Sequence, residues 1–253
     1  MEIKDAGAVY FSPGGSTKAV AVAVASGIGE CREYDFTSRT QELDFAPGSV
    51  AVFAAPVFGG RIPGVFIDFL SSVKGSGTPA VVLAVYGNRD YDDALLELAD
   101  AVKARGFRVV AAGAFIARHS MVTELAAGRP DATDKAAMAD LAGKVKAKLA
   151  SDDFTEPSIP GNRPYKEYGG VPLHPSANRA RCVKCGKCAR ECPVGAIPTD
   201  APYKTENGKC ITCMHCVFAC PNYARGLNPV LLAATRTKLK KVCSERKAPE
   251  LFV

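Results

Sequence analysis

No apolar run in these 253 residues reaches the roughly 18–20 positions that a membrane-spanning helix needs, so no membrane association is expected. The amino terminus, Met1 to Phe11, lacks a basic stretch leading into an apolar segment, which argues against a secretory signal. The Gly-x4-Gly-Lys-Ser/Thr phosphate loop is missing, and so is Gly-x-Gly-x-x-Gly. No helix-turn-helix or kinase-like segment occurs, which leaves a sensor reading without an output module. Low-complexity segments are also absent. Together these absences predict a soluble, cytoplasmic protein.

Charge is unevenly spread. Residues 1–150 hold 16 Lys/Arg against 17 Asp/Glu, a balance of −1, whereas residues 151–253 hold 16 against 9, a balance of +7. A basic half suggests nucleic acid or an acidic partner. Metal–thiolate chemistry would cancel much of that excess, as the cysteines indicate, so nucleic-acid binding is not expected.

Eight of the ten cysteines form two copies of one motif. The first is Cys182-x2-Cys185-x2-Cys188-x3-Cys192-Pro193, and the second is Cys210-x2-Cys213-x2-Cys216-x3-Cys220-Pro221. This is the bacterial spacing for two 4Fe–4S clusters, in which the fourth cysteine of each run ligates the other cluster. Cys182, Cys185, Cys188 and Cys220 are therefore assigned to one cluster, and Cys210, Cys213, Cys216 and Cys192 to the other. Zinc prefers two separated pairs and fits this pattern poorly. A reducing cytosol keeps such thiols available for metal.

Residues 7–149 alternate apolar strands with helices. The strands are expected at 8–11, 31–36, 50–57, 80–85 and 107–116, and the helices at 17–28, 63–73, 90–105 and from Pro130 to Leu149. Near-continuous apolar strands imply a parallel sheet covered on both faces. Five of them suit the doubly wound order 2-1-3-4-5, whose ligand crevice lies at the carboxyl ends of strands 1 and 3. Residues 1–150 are thus read as one domain. A Pro/Gly-rich linker follows over 151–177, then a cysteine-rich domain over 178–225. The tail, 226–253, opens on Asn228-Pro229, a helix start, with Leu231, Leu232, Leu239 and Val242 on one face. Its Arg236, Lys238, Lys240, Lys241, Arg246 and Lys247 form either a solvated face or a docking patch. Cys31 and Cys243 read as small apolar filler.

Three loops fall at strand ends. Ser12-Pro13-Gly14-Gly15-Ser16-Thr17 opens the first helix, where backbone amides and hydroxyls favour a phosphate. Pro56, Val57, Phe58, Gly59 and Gly60 follow the third strand. Gly87, Asn88, Asp90 and Tyr91 follow the fourth. The glycines let backbone approach a flat ring, with Phe58 and Tyr91 placed to flank its faces. Arg61, Arg89 and His119 are candidates for contact with a substrate or proton.

The cysteine-rich segment resembles the two-cluster bacterial ferredoxins, most closely in Glu191-Cys192-Pro193-Val194-Gly195-Ala196-Ile197. That resemblance implies a small α+β fold of βαββαβ type and low-potential electron transfer. The three loops resemble those of flavodoxins, and the whole chain resembles fusions of a flavodoxin-like domain to a two-cluster ferredoxin. The resemblance implies an FMN site and an α/β flavodoxin-like sheet. In the first loop Gly14 and Ser16 stand where that family usually has threonine, which removes one hydroxyl donor. The implied function is an oxidoreductase that moves electrons between two 4Fe–4S clusters and FMN, acting at the flavin on a small molecule. The alternative is a carrier that docks larger redox proteins. A homodimer is expected by the same resemblance.

Overall fold

The computed structural model describes residues 1–253. Five parallel strands form the main sheet: β1 (Asp5–Tyr10), β2 (Glu30–Asp35), β3 (Ser49–Pro56), β4 (Pro79–Tyr86) and β5 (Arg108–Ile116). Their order is β2-β1-β3-β4-β5, the doubly wound order expected, so this part of the chain has a flavodoxin-like fold. β3 is buried at seven of eight positions and β4 at all eight, as a strand covered on both faces must be. Alternation divides their side chains between two cores. Val9, Phe11, Phe53 and Val82 face α2 (Gly64–Phe69) and α3 (Ala94–Lys103). Ala8, Tyr10, Val52 and Leu83 face α1 (Ser16–Ile28) and α4 (Ala132–Ala150). The predicted helices over 63–73 and 90–105 are shorter than expected. The first passes into a 3₁₀ turn at Leu70–Ser72, and the second starts only after the turn at Tyr91–Asp93.

The two sheet edges differ. β2 is polar and largely exposed, which discourages pairing with another chain. The β5 edge is covered by a sixth strand, β6 (Glu250–Phe252), which returns from the far end of the chain. It runs antiparallel, with Glu250 opposite Ala114 and Phe252 opposite Ala112. The tail, expected as a basic helix over 226–253, thus also adds a strand to the sheet. A three-residue strand carries too little periodicity to be read from sequence.

The segment over 151–177 also differs from a simple spacer. It is strapped to α3 by acidic side chains. Asp93 accepts from the backbone N–H of Asn162 and of Lys166, each at 2.7 Å. Asp100 accepts from Arg163 at 2.7 Å and from the Tyr165 hydroxyl at 2.6 Å. Burial raises the Asp100 carboxyl, but these donors outweigh it and hold the group at about 2.

Residues 178–225 have almost no apolar core. They contain two one-turn helices, α5 (Lys187–Arg190) and α6 (His215–Phe218), and their ends are joined by one short antiparallel pair, Ser176–Ala177 with Arg225–Gly226. The inner hairpin of a βαββαβ unit is reduced to a backbone bond from Glu206 N–H to the Ala196 carbonyl, 2.8 Å. Pro198 and Pro202 in the intervening segment supply no N–H for a longer ladder.

α7 (Pro229–Val242) begins where Asn228 Oδ1 accepts from Val230 N–H and Leu231 N–H. Leu232 and Leu239 pack with Val122, Leu125 and Cys243, while Leu231 and Val242 remain exposed. Arg236 pairs with Glu124, Arg246 with Asp131 and Lys247 with Asp90. Half of the basic tail residues thus hold the tail to its own chain.

Candidate functional site

A pocket of about 500 Å³ opens at the carboxyl ends of β1, β3, β4 and β5. Gly14, Ser16 and Thr17 form its floor, Pro56, Val57 and Phe58 one wall, and Val85, Tyr86 and Gly87 another. Ala117, Arg118, His119 and Ser120 complete it. α1 starts at a left-handed Gly15 with no side-chain cap and no acidic residue in its first turn. Its leading amides therefore offer an anion the favourable end of a thirteen-residue helix. The Ser12 hydroxyl does not line the pocket; it turns back to accept from Lys18 N–H at 2.8 Å and so shapes the loop.

Several residues expected at the ring are committed elsewhere. The Asn88 side-chain amide donates to the carbonyls of Cys243 and Glu245, at 3.0 and 2.8 Å. The Tyr91 hydroxyl donates to Glu250 at 2.9 Å, and Asp90 pairs with Lys247. These three serve the returning tail, so Tyr91 does not flank a ligand ring. Arg61 forks onto Glu97 and reaches the Lys166 carbonyl at 2.6 Å, which fixes the strap. Arg89 pairs with Asp92. Gly59 and Gly60, at φ of +60° and +91°, make the turn behind Phe58 rather than the pocket wall. His119 does line the pocket. Its Nδ1 accepts from Met121 N–H and Val122 N–H at 3.2 Å each, and burial holds its pKa below the ordinary value. The neutral ring then carries its proton on Nε2.

The eight cysteines converge in two pockets of nearly equal size, about 340 and 330 Å³. One is lined by Cys182, Cys185, Cys188 and Cys220, the other by Cys210, Cys213, Cys216 and Cys192. Each fourth cysteine has crossed from the other run. The two halves repeat at an offset of 28 residues. Left-handed backbone falls at Lys184, Gly186 and Gly195 in the first half and at Thr212, Met214 and Tyr223 in the second. These turns point successive sulfurs into one space. Ala196 N–H donates to Cys192 Sγ and Ala224 N–H to Cys220 Sγ, both at 3.3 Å. Burial pushes the Cys213 thiol up to about 12 and that of Cys216 to about 11. Bare thiolates are unfavourable in such surroundings, and cationic iron supplies the missing charge. The four sulfurs lining each pocket are the donor chemistry an iron–sulfur cluster takes, and these residues would hold one.

One position breaks the repeat. Where the first half has buried Ile197, the second has buried Arg225. Its guanidinium donates to the carbonyls of Pro202 and Pro175, at 2.7 and 3.1 Å, and lies 3.8 Å from Cys188 Sγ. No carboxylate pairs with it, and its Nε is buried without a partner. Its neighbours on the open side are the sulfurs of Cys188 and Cys216.

The pockets adjoin. Cys213 lines both the second cysteine pocket and the strand-end pocket. Across the same seam His215 Nδ1 donates to the Pro13 carbonyl at 3.0 Å, and Ser38 donates to the Glu191 carbonyl at 3.1 Å. Phe218 lies over Gly14, where an added Cβ would sit 3.1 Å from its ring. Cys213 was legible as a metal ligand but not as a wall of the other pocket. Val85 was also not singled out, although it lies at the end of a buried strand.

Residues 174–221 match the 4Fe–4S dicluster domain family. This part of the chain is a 4Fe–4S domain. YccM of Escherichia coli (strain K12), named as an electron transport protein, is 34% identical over 91 residues, covering 34% of this chain and 22% of YccM. PhsB of Salmonella typhi, a thiosulfate reductase electron transfer subunit, is 43% identical over 54 residues, covering 19% of this chain and 28% of PhsB. The chain thus spans about a quarter of each relative's length. A solved flavodoxin from the domain Archaea aligns with 57% of this chain and 98% of its own, at 17% identity and a TM-score of 0.43. No helix of the 4Fe–4S domain or of the rest of the chain is long and apolar enough to cross a membrane.

Proposed function

We propose that this chain is an iron–sulfur flavoprotein that passes electrons between two 4Fe–4S clusters and an FMN, with Cys182, Cys185, Cys188 and Cys220 holding cluster 1 and Cys210, Cys213, Cys216 and Cys192 holding cluster 2. The observation that carries this reading is the shared wall at Cys213, which puts a ligand of cluster 2 against the strand-end pocket. Bound FMN exchanges one or two electrons where a cluster exchanges one, and the protein's part is to hold and tune them. The uncapped amides of Ser16 and Thr17 hold the phosphate. Phe58 and the Tyr86–Gly87 backbone enclose the ring, and His119 Nε2–H is available as a donor. Cys213 and, by its contact with Gly14, Phe218 would lie on the phosphate side.

Anaerobic reconstitution with iron, sulfide and FMN, followed by a reductive titration read by absorbance and EPR, tests this directly. About eight iron atoms and one flavin per chain are expected. A preparation that takes up iron but no flavin would reject the flavin half of the proposal.

Two substitutions probe its parts. At Gly87 an added Cβ would stand 2.5 Å from the His119 ring, so Gly87→Ala forces that ring into the pocket. FMN affinity, measured by quenching of flavin fluorescence, is expected to fall about tenfold, or ~1.4 kcal/mol. Arg225→Leu removes a buried positive charge beside Cys188. Iron content should persist, while the cluster potentials fall by roughly 60–120 mV, since the guanidinium faces Cys188 and Cys216 alike and a one-electron couple moves about 59 mV per tenfold in equilibrium constant. Unchanged potentials at both clusters would show that this charge does not tune them.

A further inference from the structure

The two halves of the 4Fe–4S domain repeat in backbone but not in surroundings, and the difference points to a second docking face. In the second half the outward positions of the ligand loop are covered by the rest of the chain. Ile211 packs against the core of the flavodoxin-like domain, His215 bonds to the Pro13 carbonyl, Thr212 is buried against His174, and Met214 is buried at the second cysteine pocket. Their counterparts 28 residues earlier are Val183, Lys184, Gly186 and Lys187. Val183 is 67% exposed, and Tyr223, on the segment that forms the opposite wall of the first cysteine pocket, is 82% exposed. Cys185 is the one exposed cysteine of the eight.

The segment that carries this face is basic. Arg179, Arg181, Lys184, Lys187 and Arg190 fall between residues 178 and 190, with no Asp or Glu among them. Lys184 and Lys187 line the pocket mouth itself. Lys187 faces Glu191 at 3.9 Å, and Arg179 stacks on the Tyr203 ring at 4.4 Å; Arg181, Lys184 and Arg190 form no ion pair. An apolar centre inside a charged rim is the anatomy of a transient protein interface, and a one-sign rim steers an oppositely charged partner.

Resting on the two-cluster reading above, we propose that the cluster 1 face, centred on Val183 and Tyr223 and rimmed by Arg179, Arg181, Lys184, Lys187 and Arg190, is the docking surface for a small acidic electron-carrier protein. Cluster 2 faces the flavin pocket, so cluster 1 is the distal end of the relay. One electron crosses per encounter: cluster 1 is oxidised as the carrier is reduced, or the reverse, with no bond made or broken.

The test uses the reconstituted full chain, reduced, in stopped-flow against an oxidised acidic two-cluster ferredoxin as probe. The second-order rate constant is expected to fall at least tenfold between low and high ionic strength, and at least tenfold again in Arg181→Glu/Lys184→Glu at low salt. Arg181→Glu alone should show a smaller loss. Oxidation of the same double variant by hexaamminecobalt(III), a small cation, should be no slower than that of the parent, which separates lost docking from lost clusters. A salt-independent rate would overturn the proposal. So would a loss confined to Lys238→Glu/Lys240→Glu/Lys241→Glu, which would put the port on the tail helix. Parent protein that shows no cluster EPR signal after reconstitution would remove the two-cluster reading itself, a result distinct from either.

Discussion

Replacing Cys213 by alanine is expected to lower the iron content from about eight atoms per chain to about four and to cut the flavin pocket off from cluster 1. The thiol sits where burial raises it to about 12, so only bound iron makes a thiolate there favourable. Three cysteines remain in that pocket, and a cubane needs four corners. Cys185→Ala is the matched control. It removes a ligand of the other pocket and should cost the same iron, but Cys185 does not touch the strand-end pocket. Flavin affinity should therefore change in the Cys213 variant and stay constant in the Cys185 variant. Iron analysis, flavin titration and EPR of the photoreduced protein measure all three. Equal loss of flavin in both variants would mean that the shared wall has no bearing on the flavin.

Deleting residues 244–253 should cost on the order of 4 kcal/mol of stability, although none of them lines a cofactor pocket. The deletion exposes the β5 edge by removing β6. It takes away the Glu245 carbonyl that the buried Asn88 amide donates to, and the Glu250 carboxylate that accepts from Tyr91. It also removes the Lys247 carbonyl that accepts from Arg129, both partners at 3.2 Å. Arg129 is buried with Asp134, itself wholly buried, so the pair loses part of its hydrogen bonding in low dielectric. Each orphaned buried group costs about 1–3 kcal/mol. Against a total of about 5–15 kcal/mol for a typical domain, the truncated protein is expected to unfold at a much lower urea concentration. An unchanged midpoint would show that β6 merely rests on the sheet.

The sheet was legible because its information is local. Runs such as Val50–Val57 and Ala80–Val85 are apolar throughout, and only a doubly covered strand needs that. The cysteine runs were legible for the same reason: sulfur spacing and left-handed turns lie within a dozen residues. What escaped were contacts between distant segments. Asn88 and Tyr91 stand in a loop whose position at a strand end suits a ligand, yet a tail more than 150 positions away uses them. Arg61 looked available for chemistry until Glu97 and the strap were seen to share it. Cys213 was assigned its metal and not its second neighbour, because no pattern in one segment reports what another will pack against it.

The return of the chain to β5 makes the 4Fe–4S domain an insertion rather than a bead on a string. It is tied to the sheet at its start by the strap along α3 and at its end by α7 and β6. A module hung from one linker explores a volume, and its encounter with its neighbour is governed by an effective concentration. A module gripped at both ends has one orientation, so the separation between its cysteines and the strand-end pocket is a property of the fold and not of diffusion. Exchanging this insert for a different redox module would therefore require matching two attachment points, not one.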